Sequence, residues 1–218
     1  MSPPQVLEDR EIEVAICRVP AAEKHMELYA RTVAYFSYDD SWTVVYNTSE
    51  QAIKRARIVG LATNAALGTK NDTSVKKVIL GDKVTSIDDQ LFLGCSRLEI
   101  VKMDNVTSIG DYAFSGCSKL LLSEMPSGLQ AIGAEAFMYV SSLKRVSFKQ
   151  ALRKIGRGAF ANSSASEIVF ETSGANLEVD SSAFTKTKIK KIEFPVSCIK
   201  VGEDVVYGCN DLTEVAFS

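Results

Sequence analysis

The chain has 218 residues, 46% of them hydrophobic and 24% charged, with a formal net charge of −2 and a pI near 5.6. That composition supplies one sizeable core or two modest ones and excludes a disordered chain. It also argues against a nucleic-acid partner, which needs a basic excess, and against membrane insertion, because no apolar run reaches the ~18 residues that span a bilayer.

Residues 1–10 read as a polar, proline-containing tail. The start, Met1-Ser-Pro-Pro-Gln-Val-Leu-Glu-Asp-Arg-Glu, has neither the basic head and apolar core of a secretory signal nor the acid-poor character of an organelle presequence. With Met1 as the natural start, the expected location is the cytoplasm. Five cysteines, an odd number without dense spacing, fit reduced thiols there. The sequons at Asn47, Asn71, Asn105 and Asn162 point instead to the cell surface or secretion, which is the alternative.

Glu11–Cys17 alternates as a strand, and Pro20 suits the first turn of a helix. Steps of three and four among Ala22, Met26, Tyr29, Val33 and Phe36 predict that helix over 20–36. Trp42–Tyr46 reads as a strand from its β-branched and aromatic content. Thr48-Ser-Glu-Gln51 is a capping box, predicting a second helix with Ile53, Ala56, Val59 and Thr63 on its inner face and Gly68 as its stop. Residues 1–73 are therefore expected to form a small α/β cap.

From residue 74 to residue 218 the chain is periodic. Ile87, Ile109, Ile132, Ile155, Val179 and Val201 recur at steps of 22, 23, 23, 24 and 22. Five residues after each stand Phe92, Phe114, Phe137, Phe160, Phe184 and Val206. Phenylalanine makes up only 10 of 218 residues, so this row is not a matter of composition. An extended segment follows in each unit, with apolar residues at relative positions 1, 4 and 6, as in Leu98/Val101/Met103 and Leu143/Val146/Phe148. Val75/Val78/Leu80 supplies one more such segment, whereas Ser123 and Ala165 are weaker members.

A unit of this length cannot bury its own apolar face but can stack on a copy of itself, which predicts a solenoid with a parallel sheet and a phenylalanine ladder. Only Gly or Asp follows the aligned aliphatic residue: Asp88, Gly110, Gly133, Gly156, Asp180 and Gly202. The expected cause is a corner that needs positive φ or a tight local hydrogen bond.

Ser108-Ile-Gly-Asp-Tyr-Ala-Phe-Ser-Gly-Cys-Ser-Lys-Leu120, Ala131-Ile-Gly-Ala-Glu-Ala-Phe137 and Lys154-Ile-Gly-Arg-Gly-Ala-Phe160 closely resemble the BspA-like leucine-rich repeats. The resemblance covers about two thirds of the chain. It implies a leucine-rich-repeat solenoid and similarity to adhesins and interaction scaffolds, many of them surface proteins.

Little in the sequence carries chemistry. His25 is the only histidine and has no nucleophile motif to serve. Gly156-Arg-Gly158 lacks the third glycine of a dinucleotide fingerprint, and Gly68-Thr-Lys70 has the wrong order for a phosphate loop. Cys95, Cys117 and Cys209 share one rung with Val140, Ser163 and Thr187, which suits small buried residues. Neighbouring Cys95 and Cys117 are close enough for a disulfide but are expected as thiols. Lys54, Arg55 and Arg57 read as a solvated helix face. No enzyme, cofactor or metal site is expected.

The positions that alternate with the core residues face out of the concave sheet. Among them Lys77, Ile79, Ile100, Lys102, Leu121, Leu122, Lys144, Arg145, Glu167, Val169, Lys191 and Glu193 are the candidate protein-binding residues. Ile100, Leu121 and Leu122 on adjacent strands are more apolar than a solvated face requires. Lys76, Lys190, Glu99, Glu124 and Glu214 complete the charges of this face. Basic residues outnumber acidic ones seven to five, favouring an acidic and apolar partner. The expected function is a non-enzymatic protein-interaction module. The alternative is a surface or secreted adhesin for host protein or glycan. The sequence stops within the strand Thr213–Ser218 with no polar capping unit, so the expectation is either that the chain is part of a longer protein or that the open edge pairs, for instance with a copy of the chain.

Overall fold

The structure is a computed structural model that describes residues 32–36, 42–46, 52–53, 75–80, 84–171 and 176–218. Among the described residues fifteen strands follow one another: β1 Thr32–Phe36, β2 Trp42–Tyr46, β3 Ala52–Ile53, β4 Val75–Leu80 and β5 Ser86–Ile87. Next come β6 Ile100–Lys102, β7 Ser108–Ile109, β8 Ala131–Ile132, β9 Arg145–Phe148 and β10 Lys154–Ile155. The last are β11 Glu167–Phe170, β12 Leu177–Val179, β13 Lys191–Phe194, β14 Cys198–Val201 and β15 Glu214–Phe217. Among the described residues there is no helix.

Most coils give a longer strand to one face and a short one to the other. The short strands form one continuous seven-stranded parallel sheet in the order β14-β12-β10-β8-β7-β5-β3. The longer strands lie in the order β1-β2-β4-β6, then β9 with β11, then β13 with β15. This long-strand side is the one the sequence assigns to the concave face. Coil 121–125 lies between β6 and β9 and forms only an isolated bridge, Glu124 to Ser147.

The segment before residue 74 joins both sheets. β2 pairs in parallel with β4, and β3 with β5. The predicted helices are corrected where they meet described residues: Thr32–Phe36 is a strand antiparallel to β2, and Ala52–Ile53 is a strand. A neighbouring strand satisfies these backbone groups, and that outweighs the local helical spacing. The expected strand Glu11–Cys17, the body of both helices, His25, Lys54, Arg55, Arg57 and Gly68 lie outside the described residues.

The core is built as the periodicity predicts except in the last coil, where Val201, Val215 and Phe217, expected inside, are exposed. Ile87, Ile109, Ile132, Ile155 and Val179 are buried, as are Phe92, Phe114, Phe137, Phe160 and Phe184. These five rings stack in series at centroid separations of 5.3, 5.3, 5.1 and 5.6 Å. A second series, Phe148, Phe170, Phe194 and Phe217, runs under the long strands at 5.3, 5.9 and 5.3 Å. Each aromatic pair adds about 0.5–1.5 kcal/mol to the burial of its rings.

The six-residue rung holding the cysteines is also buried. Its polar members are satisfied inside: the Cys117 thiol donates to Phe92 O at 3.1 Å, the Cys209 thiol to Phe184 O at 3.1 Å, and the Thr187 hydroxyl to Phe184 O at 2.8 Å. Cys95, Cys117, Cys198 and Cys209 are not joined in disulfides. Burial pushes the Cys117 thiol well above its ordinary pKa, with the neighbouring Cys95 adding to the shift.

The reason for glycine at the corner differs from the expectation. Gly110, Gly133, Gly156 and Gly202 do not have positive φ. They stand against the backbone of the preceding coil: a Cβ on Gly110 would lie 2.7 Å from Asp89 N, and one on Gly156 would lie 2.6 Å from Gly133 C. The glycine row sets how closely the coils stack.

Positive φ falls elsewhere, on two rows three and seven residues after the aligned aliphatic position. The first row is Gln90, Tyr112, Glu135, Gly158, Ser182 and Asp204; the second is Gly94, Gly116, Tyr139, Asn162, Lys186 and Gly208. In this conformation the backbone N–H points along the solenoid axis and donates to the next coil, as from Tyr112 to Ala134 O and from Tyr139 to Ala161 O, at 2.8 and 3.1 Å. Inter-coil hydrogen bonds thus hold side chains in a region that normally favours glycine.

Candidate functional site

Alternation along the long strands decides what reaches solvent. In β9 the pattern puts Arg145 out and Val146 and Phe148 in, but Ser147 is buried too, its hydroxyl donating to Glu171 Oε1 at 3.3 Å. Of the candidate binding residues, Ile100, Lys102, Leu121, Lys144, Arg145, Glu167, Lys191 and Glu193 are exposed. Lys77, Ile79 and Val169 are half-buried. Leu122 behaves differently from its neighbours: it is half-buried and packs on the core, while Ser123, at the core position of the repeat, is exposed. Burying the leucine and exposing the hydroxyl is the favourable choice, and it breaks the strand locally.

The pairings bring most of these residues together in two rows. Lys77 stands beside Ile100, Arg145 beside Glu167, and Lys191 beside Glu214. In the next row Ile79 lies beside Lys102, Ser147 beside Val169, and Glu193 beside Ala216. Opposite charges meet across coils: Lys76 and Glu99 at 3.7 Å, Arg145 and Glu167 at 3.7 Å, and Lys191 and Glu214 at 2.8 Å. The Glu214 carboxylate, by accepting a hydrogen bond from Lys191, raises the lysine pKa above its ordinary value. Pairs this exposed are individually weak. They order the surface more than they stabilise it.

Sequence reasoning missed the residues just beyond the strands. Lys149 links three coils, lying 2.5 Å from Glu171 and 3.9 Å from Glu124. The hydrogen bond between Lys149 and Glu171 raises the lysine pKa and lowers that of the glutamate. A groove of about 760 Å³ opens between β11 and β13, lined by Val169, Phe170, Lys191, Glu193, Pro195 and Val196. The strands on its two sides belong to separate sheets.

Elsewhere the surface carries charge ladders. Asp180 receives a hydrogen bond from Lys200 at 2.8 Å and lies 3.6 Å from Lys154, and its carboxyl is held below the ordinary pKa chiefly by the Lys200 bond. Tyr112 donates to Glu135 at 3.1 Å, which raises the phenol pKa. The last coil exposes Val201, Tyr207, Val215 and Phe217. Of the sequons in described residues, Asn105 is exposed and Asn162 half-buried. Among the described residues no three His, Cys, Asp or Glu side chains come together as a metal site, and no helix is long and apolar enough to cross a membrane.

Among solved structures, the chain is similar to a leucine-rich cell surface protein of Faecalibacterium prausnitzii, with 21% identity and a TM-score of 0.60. That match covers 86% of this chain and 53% of the other, so the chain spans about half the length of that protein. A leucine-rich repeat protein of T. pallidum matches at 21% identity and a TM-score of 0.46, covering 86% of this chain and 83% of that one. The pneumococcal vaccine antigen PcpA matches at 18% identity and a TM-score of 0.48, with 86% and 48% covered. Among curated proteins none matches. The model of the BspA-type leucine-rich repeat region matches in six copies over residues 70–179 and 177–218. Two thirds of the sequence thus carry the repeat whose stacking rows, phenylalanine ladder and corner glycines are described above, and the chain belongs to the BspA-type leucine-rich repeat family.

Proposed function

We propose that this solenoid is a non-enzymatic interaction module of the cell surface that binds protein through its long-strand face. The observation that carries the reading is the exposure of Ile100 and Leu121 on adjacent coils among charged residues. The charges flanking them supply orientation and partner choice, which is what rim charges contribute at protein interfaces. The cell surface is preferred to the cytoplasm because the similar Faecalibacterium prausnitzii structure is that of a cell surface protein. The sequons are compatible with that location.

The test places a photo-crosslinking amino acid at Val169 or Lys191 on the long-strand face, and at Gln130, an exposed residue beside the short-strand sheet. Cells that carry the protein are irradiated intact, and their exposed proteins are labelled with a membrane-impermeant reagent. The expected result is one crosslinked protein from Val169 and Lys191, none from Gln130, and labelling of the module from outside. Equal crosslinking from all three positions would refute the assigned face. A module that stays unlabelled on intact cells would refute the assigned location.

A further inference from the structure

The hydrogen bonding of the long-strand sheet lapses in its middle. Leu121 N–H donates to Glu99 O at 2.9 Å, and beyond that no backbone bond joins Ile100–Met103 to Leu122–Met125 among the described residues. Coil 121–125 stays tied on its other side, with Ser147 N–H donating to Ser123 O at 3.1 Å and Met125 N–H to Ser147 O at 3.0 Å. The alternation of a parallel ladder turns the N–H and C=O of Val101 toward this seam. There they meet no backbone partner among the described residues.

The same seam carries the apolar pair, with Ile100 43% exposed and Leu121 65% exposed. Its charge is one-sided. The acids Glu99 and Glu124 are engaged by Lys76 and Lys149. Lys77, Lys102 and Lys144 have no carboxylate within ion-pair distance among the described residues. An apolar side chain entering between Ile100 and Leu121 thus has lysines without an ion-pair partner on both sides, Lys77 beside Ile100 and Lys144 one coil beyond Leu121. Flanking carboxylates on the same partner would be drawn to them, and flanking amines repelled.

We infer that the Ile100–Leu121 seam is the anchor point for an acidic segment of a partner protein that carries a large apolar side chain. The inference rests on the interaction reading of this face and names the class of partner. The unpaired backbone groups of Val101 offer the segment polar contacts in addition to the lysines.

The test uses three fluorescent peptides of equal length: one of Asp and Glu around a central Leu-Phe pair, one with Lys in place of the acids, and one with the acids kept and Ser in place of Leu-Phe. Anisotropy titrations are run with the full chain, with Leu121→Asp, with the double variant Lys102→Glu/Lys144→Glu, and with Lys188→Glu as a remote control. The acidic apolar peptide is expected to bind, and to weaken about tenfold or more with Leu121→Asp and with the double variant, the scale of a modest interface anchor. Lys188→Glu is expected to leave binding unchanged. The inference is overturned by equal binding of the acidic and lysine peptides, by equal binding of the peptide lacking Leu-Phe, by unchanged binding to Leu121→Asp, or by no binding at millimolar concentration. Crosslinking from Val169 together with no binding of the acidic peptide would overturn this seam and leave the interaction reading standing.

Discussion

The two faces of the solenoid obey different rules. The short-strand face is one unbroken sheet through seven coils, though five of its seven strands have only two residues. The long-strand face has more residues per strand but is interrupted at coil 121–125 and again between β11 and β13. Continuity follows the stacking rows, namely the corner residues, the left-handed turns and the stacked phenylalanines. Interruption occurs where the repeat leaves side chains free, and there the apolar pair and the groove are found. The stacking rows define the fold, and the interrupted face is where a partner has room.

Substitutions separate these roles, and the largest effect is expected inside the ladder. Phe137 stacks on both Phe114 and Phe160 and is fully buried. Phe137→Ala is expected to cost about 3–5 kcal/mol in urea unfolding, the usual range for a buried aromatic. Gly156→Ala comes next, at about 1–3 kcal/mol, because the new methyl meets the Gly133 backbone rather than a flexible side-chain end. Failure of either to destabilise would break the distinction between stacking rows and free positions.

Lys186 holds positive φ on an exposed turn. Lys186→Gly is expected to raise stability by up to about 1 kcal/mol, because relief of the left-handed strain exceeds the added freedom of the unfolded chain. Asp180→Asn is expected to lower it by less than about 1 kcal/mol, since its lysine partners are half exposed. The folded Asp180 pKa lies below the unfolded one, so this contribution is present above the ordinary carboxylate range. It is lost as pH falls through the folded value. The wild type and Asp180→Asn should therefore converge in stability once the pH is below the folded Asp180 value. Among the four cysteines described, Cys198 alone is half-exposed, and it should be alkylated first in the native state. Burial raises its pKa, so the rate should climb with pH, while Cys95, Cys117 and Cys209 wait for unfolding.

Periodicity made the repeat legible because every coil repeats the same packing problem, and Phe92 through Phe184 answer it alike. The corner glycines were visible, but their cause was not: a local reading looks for positive φ, whereas Gly110 and Gly156 answer to a neighbour about one turn away in sequence. The strands at Thr32–Phe36 and Ala52–Ile53 were misread because spacing and a capping box suggest helices, while the pairing of β1 with β2 and of β3 with β5 lies outside any local window. Leu122 was assigned to the surface by strict alternation. Coil 121–125 departs from alternation because its core position holds Ser123, and the neighbouring leucine turns inward instead.

The pair Leu121 and Leu122 gives the most direct test of the division between stacking positions and the binding face. Leu121→Asp and Leu122→Asp are compared for urea unfolding and for crosslinking from Val169. With stability on one side of the sheet and recognition on the other, Leu121→Asp unfolds within about 0.5 kcal/mol of wild type and loses the crosslinked protein, whereas Leu122→Asp is destabilised outright. Equal stability of the two variants, or an undiminished crosslink with Leu121→Asp, would contradict it.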